Sequence, residues 1–313
     1  MRRRTMGTSA GRGLVVAIAA TATMLLAACQ PQPQPLGIGG VDDALKAYVS
    51  SPNSVPGAND WSCKPSSAHP NPVVLVHATA VNLGANWVAL SPMLKNAGYC
   101  VFALNYGMTS LSLGRFGGLG DIPASAAQLS AFVDKVLAST GASKVDLVGH
   151  SQGGMMPNYY VKRLGGAAKV RTLVGLSPSN HGTTLVGLVT LGADLNALGF
   201  VNNLIWGAGL PALAQQEQGS SFQKGLFGDG DTVPGVRHVV IQTKYDHVVT
   251  PYANAFLSGA NVTNIKIQDQ CPNDPVGHIG MFSDSPVLQN VMNQLGANVA
   301  GFKATCKDYG VAL

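Results

Sequence analysis

The chain has 313 residues, 46% of them hydrophobic and only 11% charged, which suits one large domain with accessory segments rather than two full domains. Its formal charge of +5 is concentrated at one end: without Arg2, Arg3, Arg4 and Arg12 the chain holds 16 basic against 15 acidic residues. A body so close to neutral lacks the phosphate-neutralising surface that nucleic-acid binding draws on, and no nucleic-acid partner is expected.

Residues 1–28 read as an export signal, with a positive start and an apolar stretch at 13–28 too short for a comfortable membrane span. The stretch ends in Leu26-Ala27-Ala28-Cys29. This resembles the bacterial lipoprotein signal, which implies lipidation of Cys29, membrane attachment through it, and an exported protein, envelope-anchored or secreted. Residues 29–40, with alternating Gln and Pro, read as an extended linker, and the folded domain is placed at 41–313. Assigning Cys29 to lipid leaves Cys63, Cys100, Cys271 and Cys306, an even number in an oxidising compartment. Four cysteines permit three pairings; closeness along the chain favours Cys63 with Cys100 and Cys271 with Cys306.

Within the domain, strands alternate with helices. Short apolar runs predict strands at 72–76, 100–104, 144–148, 170–176, 238–242 and 264–268. Helices are predicted at 86–97, closed by Gly98, and at 121–140, where Leu129, Phe132, Val133, Val136 and Leu137 share a face and Gly141 follows. A last helix opens at Ser285-Pro286 and ends at Gly296. Such alternation predicts an α/β fold with a mostly parallel central sheet flanked by helices. The segment 181–235 breaks the rhythm. It is long, glycine-rich and apolar, with Leu204, Ile205 and Trp206 at its centre, but Asp194, Asn196, Asn202 and Asn203 interrupt it and exclude a membrane span. It reads as a cap or lid inserted over the carboxyl end of the sheet.

The strongest chemical signal is Gly149-His150-Ser151-Gln152-Gly153, set between an apolar strand and a helix-like segment. That is the context of a nucleophile elbow, a sharp strand-to-helix turn that needs small residues on both sides of the serine. Pro157, inside the following helical stretch, should kink or delay that helix. A serine nucleophile requires a base and the base an orienting acid. In this fold they follow in the order serine, acid, histidine, and the loops 243–251 and 276–280 supply Asp246 and His278. Asp231 is the runner-up acid. Of the other histidines, His150 is read as packing, His77 as bracing backbone, His181 as a polar surface residue, and His247 as facing away from Asp246. An oxyanion hole needs two backbone N–H groups; Gln152, after the nucleophile, and Thr79, in the loop after the first strand, are the candidates, and the Thr79 hydroxyl offers a further donor. No metal-ligand spacing is present, and no metal is expected.

Three stretches together, residues 72–107, the elbow, and residues 231–252, resemble the secreted bacterial triacylglycerol lipases of lipase class 2. The resemblance runs from about residue 71 to about residue 297. It implies an α/β-hydrolase fold, hydrolysis of acyl-lipid esters without a cofactor, a cap over an apolar acyl pocket, and a triad of Ser151, Asp246 and His278. Members of the group usually carry His-Gly-Thr where this chain has His77-Ala78-Thr79, so Ala78 must take a backbone geometry that glycine adopts more easily. The expected activity is therefore that of a carboxylic-ester hydrolase, a lipase or esterase working through an acyl-enzyme. Two alternatives stand beside it: an acyltransferase of the same fold, and a surface lipoprotein that only binds a partner.

Overall fold

The computed structural model of the chain describes residue 1, residues 34–198 and residues 210–313. The export signal, Cys29 and the apolar centre of the cap at Leu204, Ile205 and Trp206 lie outside the described residues. Residues 36–313 form one compact unit. Part of the stretch read as linker belongs to it: Gly39 N–H donates to the Val88 carbonyl at 3.0 Å, and Leu36 exchanges hydrogen bonds with the Asn96 side chain.

The unit opens with α1 (Val41–Ser50). β1 (Val73–Val76) follows, apolar and buried at every position, the pattern of a parallel strand covered on both faces. The expected helix at 86–97 is two pieces, α2 (Leu83–Asn86) and α3 (Leu90–Asn96). Two local features account for the break. The Asn82 side chain accepts the Ala85 N–H at 2.9 Å and starts α2 earlier, and Pro92 sits in the first turn of α3, where no intrahelical donor is required. Next come β2 (Val101–Leu104), α4 (Ile122–Thr140), β3 (Val145–His150), α5 (Gln152–Arg163) and β4 (Val170–Leu176). β3 runs two residues beyond its expected end, up to the nucleophile. α5 starts without delay and continues through Pro157. The cap segment contributes α6 (Leu185–Ala197), α7 (Pro211–Gln216) and α8 (Ser221–Phe227). β5 (Arg237–Gln242) and β6 (Val262–Lys266) complete the sheet. Residues 267 and 268, expected at the end of that last strand, instead begin α9 (Ile267–Gln270), and α10 (Ser285–Leu295) closes the fold.

All six strands are parallel, in the order β2-β1-β3-β4-β5-β6. Alternate residues of β1 point to opposite sides, as the two-residue period demands. Val74 and Val76 pack with Leu129, Val133 and Met155 of α4 and α5, while Val73 and Leu75 pack with Leu90, Leu94 and Val291 of α3 and α10. A third cluster, including Ala44, Phe116, Leu191, Leu195 and Phe282, brings α1 and α6 together with loop residues. Strand order reverses direction between β1 and β3, which sets the loops leaving their carboxyl ends side by side, the place where open α/β sheets build their sites. Disulfides join Cys63 to Cys100 and Cys271 to Cys306. Among the described residues, no helix is long and apolar enough to cross a membrane.

Candidate active site

The elbow is a problem of space before it is one of chemistry. β3 must turn into α5 within one residue, and Ser151 makes the turn with φ 56° and ψ −123°, a conformation a side chain adopts only under constraint. The two glycines make room for it. A Cβ on Gly149 would stand 1.8 Å from the Gly153 carbonyl oxygen, and one on Gly153 would stand 2.1 Å from that of Val76. Neither glycine has a positive φ, so what they supply is close approach, not conformational freedom.

Ser151, Asp246 and His278 lie together and buried. His278 Nε2 is 2.9 Å from Ser151 Oγ, and His278 Nδ1 is 2.9 Å from Asp246 Oδ2. An acid must accept at Nδ1, so that nitrogen carries the proton and Nε2 is left as the acceptor for the serine hydroxyl. The second Asp246 oxygen accepts the N–H groups of Val248 (2.9 Å) and Val249 (2.7 Å). Burial opposes the charged carboxylate, but the facing His278 and these two N–H groups outweigh it and hold Asp246 below the ordinary carboxylate range. Asp231, the runner-up acid, is engaged elsewhere: it bonds His181 Nε2 at 2.9 Å and the backbone and hydroxyl of Ser258. His181 is thereby a half-buried hydrogen-bonding partner of Asp231 rather than a free surface group, and His247 is exposed.

The oxyanion candidates are also adjacent. Ala78 N–H donates to Asn86 Oδ1 at 2.9 Å and Ala80 N–H to the Gly117 carbonyl at 2.8 Å, whereas the N–H groups of Thr79 and Gln152 have no acceptor among the described residues. Side chains reinforce the pair. Gln152 Nε2 donates to Thr79 Oγ1 (3.1 Å) and to the Gly118 carbonyl (3.0 Å), and Gln216 Nε2 donates to Thr79 Oγ1 (3.2 Å). With two donors aimed at it, the Thr79 oxygen has its own proton left to give. Ala78 does not take a left-handed conformation; Ala80 does, at φ 59°. Alanine at 78 therefore needs no positive φ, and the left-handed residue of this loop is Ala80. A narrow apolar cavity of about 30 Å³ adjoins these groups, walled by Thr79, His278, Leu191, Leu195, Ile279 and Phe282 among others.

Comparison with known proteins bears on the family and the fold. The family described as Lipase (class 2) matches residues 70–284, more than half of the chain. The chain belongs to the class 2 lipases. A triacylglycerol lipase of Pseudarthrobacter phenanthrenivorans is 38% identical over 93 residues, 28% of this chain and 27% of that protein. The chain thus matches only about a quarter of that relative's length. Among solved structures, lipase B of Aspergillus fumigatus superposes with a TM-score of 0.59 at 22% identity, covering 85% of this chain and 63% of that one. The mature form of a Bacillus licheniformis lipase gives 0.53 at 17% identity, covering 74% and 94%. These likenesses establish the α/β-hydrolase fold.

In this class 2 lipase, three residues near the site escape sequence reasoning. His150 does more than pack: its Nε2 lies 3.0 Å from the His278 carbonyl, and the two rings are 5.3 Å apart. A carbonyl only accepts, so Nε2 carries the proton. Burial, and then the neighbouring His278, push the His150 pKa down to about 3, so the ring is neutral. Asn86 holds Ala78, and Gln216 reaches Thr79 from the cap segment. A histidine directly before the nucleophile was the available signal for the first; nothing in spacing marks the other two. His77 braces backbone as expected, its Nδ1 2.7 Å from the Ala78 carbonyl, with its ring stacked on Tyr106. Among the described residues, no group of three His, Cys, Asp or Glu side chains could hold a metal ion.

Proposed function

We propose that this chain hydrolyses carboxylic esters of acyl lipids through an acyl-enzyme on Ser151. His278 takes the serine proton as Oγ attacks the ester carbonyl, forming the C–O bond to the enzyme. The carbonyl's electron pair moves onto oxygen, where the N–H groups of Thr79 and Gln152 and the Thr79 hydroxyl meet the charge. Collapse of that intermediate expels the alcohol, which receives its proton from His278. Water then repeats the cycle and releases the acid. Asp246 keeps the imidazole in one tautomer and balances its charge when protonated.

The observation that carries this reading is the bracketing of His278. One ring nitrogen meets an acid held ionised by two backbone donors, and the other meets a serine on a strained turn, beside two unclaimed N–H groups. The walls of the small cavity beside His278 are apolar, as the acyl side of such a site requires, and the cap suits a lipid substrate. Its helix α6 turns Leu188, Leu191 and Leu195 inward, while Leu185, Val186 and Val189 are each more than half exposed. Export and anchoring through Cys29 belong to the same reading, and incorporation of a labelled fatty acid into wild-type protein but not Cys29→Ser reports it. The deciding test is labelling by a fluorophosphonate. It should occupy Ser151 alone, and turnover of a short-chain ester should release acid. Transfer to an added alcohol in preference to water would instead make the chain an acyltransferase, and absence of labelling would leave a binding protein.

A further inference from the structure

His278 precedes a single short turn, Ile279–Phe282, and belongs to no long element. Its backbone is fixed from elsewhere, mainly by residues 306–313. Gly277 N–H donates to the Val311 carbonyl at 3.0 Å, and Ile279 N–H donates to the main-chain oxygen of Leu313 at 2.7 Å. These are the two amides that flank His278. Two further bonds hold the same stretch against the start of α10: Ser285 N–H to the Asp308 carbonyl at 3.2 Å, and Gly310 N–H to Asp284 Oδ1 at 2.9 Å. On its other side, the His278 carbonyl accepts from His150.

The contact is backbone against backbone. A Cβ on Gly277 would stand 2.4 Å from the Leu313 oxygen, one on Gly280 2.2 Å from that of Val311, and one on Gly310 2.4 Å from that of Gly280. None of these glycines has a positive φ, so each is needed for approach alone. The Cys271–Cys306 bridge joins the start of the histidine loop to the start of the segment that covers it. Stability alone would be served by bonds anywhere along this segment. Here they fall on both neighbours of the one residue whose ring must meet a serine and an acid at once.

We propose that residues 306–313 are a positioning strap for His278, locked at one end by the Cys271–Cys306 bridge, on which the rate of the chemical step depends and substrate affinity does not. The proposal rests on the reading of Ser151 and His278 as nucleophile and base. A displacement of about 1 Å at a reacting group can lower a rate on the order of 100-fold, with little change in ground-state binding.

The test compares three strap variants with a control. The variants are Cys271→Ser with Cys306→Ser, a chain ending at Gly310, and Gly310→Ala, which keeps both bridge and length. The control is Cys63→Ser with Cys100→Ser. Functional sites are counted by stoichiometric fluorophosphonate titration, then kcat per titrated site and KM are measured on a dissolved short-chain ester. The strap variants should lose roughly 10- to 100-fold in kcat per site, with KM within about twofold, while the control keeps the wild-type kcat per site. Wild-type kcat per titrated site in the strap variants, whatever they lose in melting temperature or titratable fraction, overturns the proposal, as does an equal fall in the control. If the bridge variant or the shortened chain yields no folded protein, Gly310→Ala decides. Failure of the wild-type protein itself to titrate is a different result: it removes the nucleophile assignment rather than the strap.

Discussion

Ser151 and His278 are held by opposite means. The serine is fixed by its immediate neighbours: β3 ends one residue before it, α5 begins one residue after it, and two glycines within two positions let the backbones close around it. The histidine has no such frame. Its position depends on Asp246, His150 and residues 306–313, contacts that span up to 128 positions of sequence. One half of the catalytic pair is therefore specified locally and the other by the assembled fold. Changes near the serine should act through chemistry or sterics at once, whereas changes behind the histidine should act through placement, in graded steps.

The largest effect should come from the nucleophile. Ser151→Ala should remove ester hydrolysis, by a factor on the order of 10⁶ in kcat if the subtilisin example transfers, while the melting temperature stays near wild type. Asp246→Asn should follow at about 10⁴-fold, because an amide favours the wrong imidazole tautomer. Substantial residual activity in Ser151→Ala, measured per folded molecule, would break the local half of the comparison, and in Asp246→Asn it would remove Asp246 from the contacts that place the histidine.

His150 tests the other half. His150→Phe keeps a ring but withdraws the N–H from the His278 carbonyl, leaving a buried acceptor unpaired at a cost of about 1–3 kcal/mol. We expect a roughly 10- to 100-fold loss in kcat per titrated site, with an unchanged fold by circular dichroism. His150→Gln, which can offer a donor, should recover part of it. Wild-type rates in His150→Phe would mean that the carbonyl contact does not place His278.

A smaller effect is expected from the cap. Val186→Ser with Val189→Ser alters only the exposed face of α6, far less intimately tied to the site than Leu191 or Leu195. Loss on emulsified long-chain esters of a few-fold, without loss on dissolved short-chain esters, would mark this face as the one that meets lipid. Equal loss on both would assign it to folding.

How much of this was legible in the sequence follows the same division. The strand alternation predicted the parallel sheet because β1 to β5 are short runs almost wholly buried, whereas β6 is half-exposed, and Gly149-His150-Ser151-Gln152-Gly153 announced the elbow because its constraint is local. The loops carrying Asp246 and His278 could be ordered from the logic of the fold. Element ends were less readable where side chains override propensity, as where Asn82 starts α2 early and where the chain leaves β6 after Lys266. Least readable were the contacts between distant segments. Gln216 meets Thr79 across 137 positions, and the strap's glycines look like ordinary loop residues until the surface they press against is known.

The strap region also carries an electrostatic cost, which supplies the smallest and most specific test. Asp274 and Asp284 are both fully buried beside the histidine loop. Asp284 caps α10 by accepting the Val287 N–H at 2.9 Å and also holds Gly310. Burial pushes its pKa up to about 7, and the charge of Asp274 adds to the rise. Asp274 itself is raised by burial; its Oδ1 accepts the Val276 N–H at 2.9 Å, and its side chain also hydrogen-bonds that of Asp284, a contact that requires one of the two carboxyls to keep its proton. The sign follows from linkage. A carboxyl whose pKa is higher folded than unfolded holds its proton longer in the folded state, so its contribution is fully present below about pH 4 and is lost as pH rises through 7. Asp274→Asn removes the like charge, keeps the acceptor for Val276, and offers Asp284 an amide donor that does not depend on a shared proton. The variant should therefore gain stability over wild type, and the gain should grow from pH 5 to pH 8. A gain of 1 kcal/mol corresponds to about 2–4 °C in a domain of this size. Melting curves of the two proteins across that range measure it. The buried neutral histidines His77, His150 and His238 destabilise both proteins alike on acidification, so the difference between the curves isolates the pair. A difference that is flat with pH, or that shrinks toward pH 8, would mean that the two carboxylates do not share their burden and that the strap is anchored without electrostatic strain.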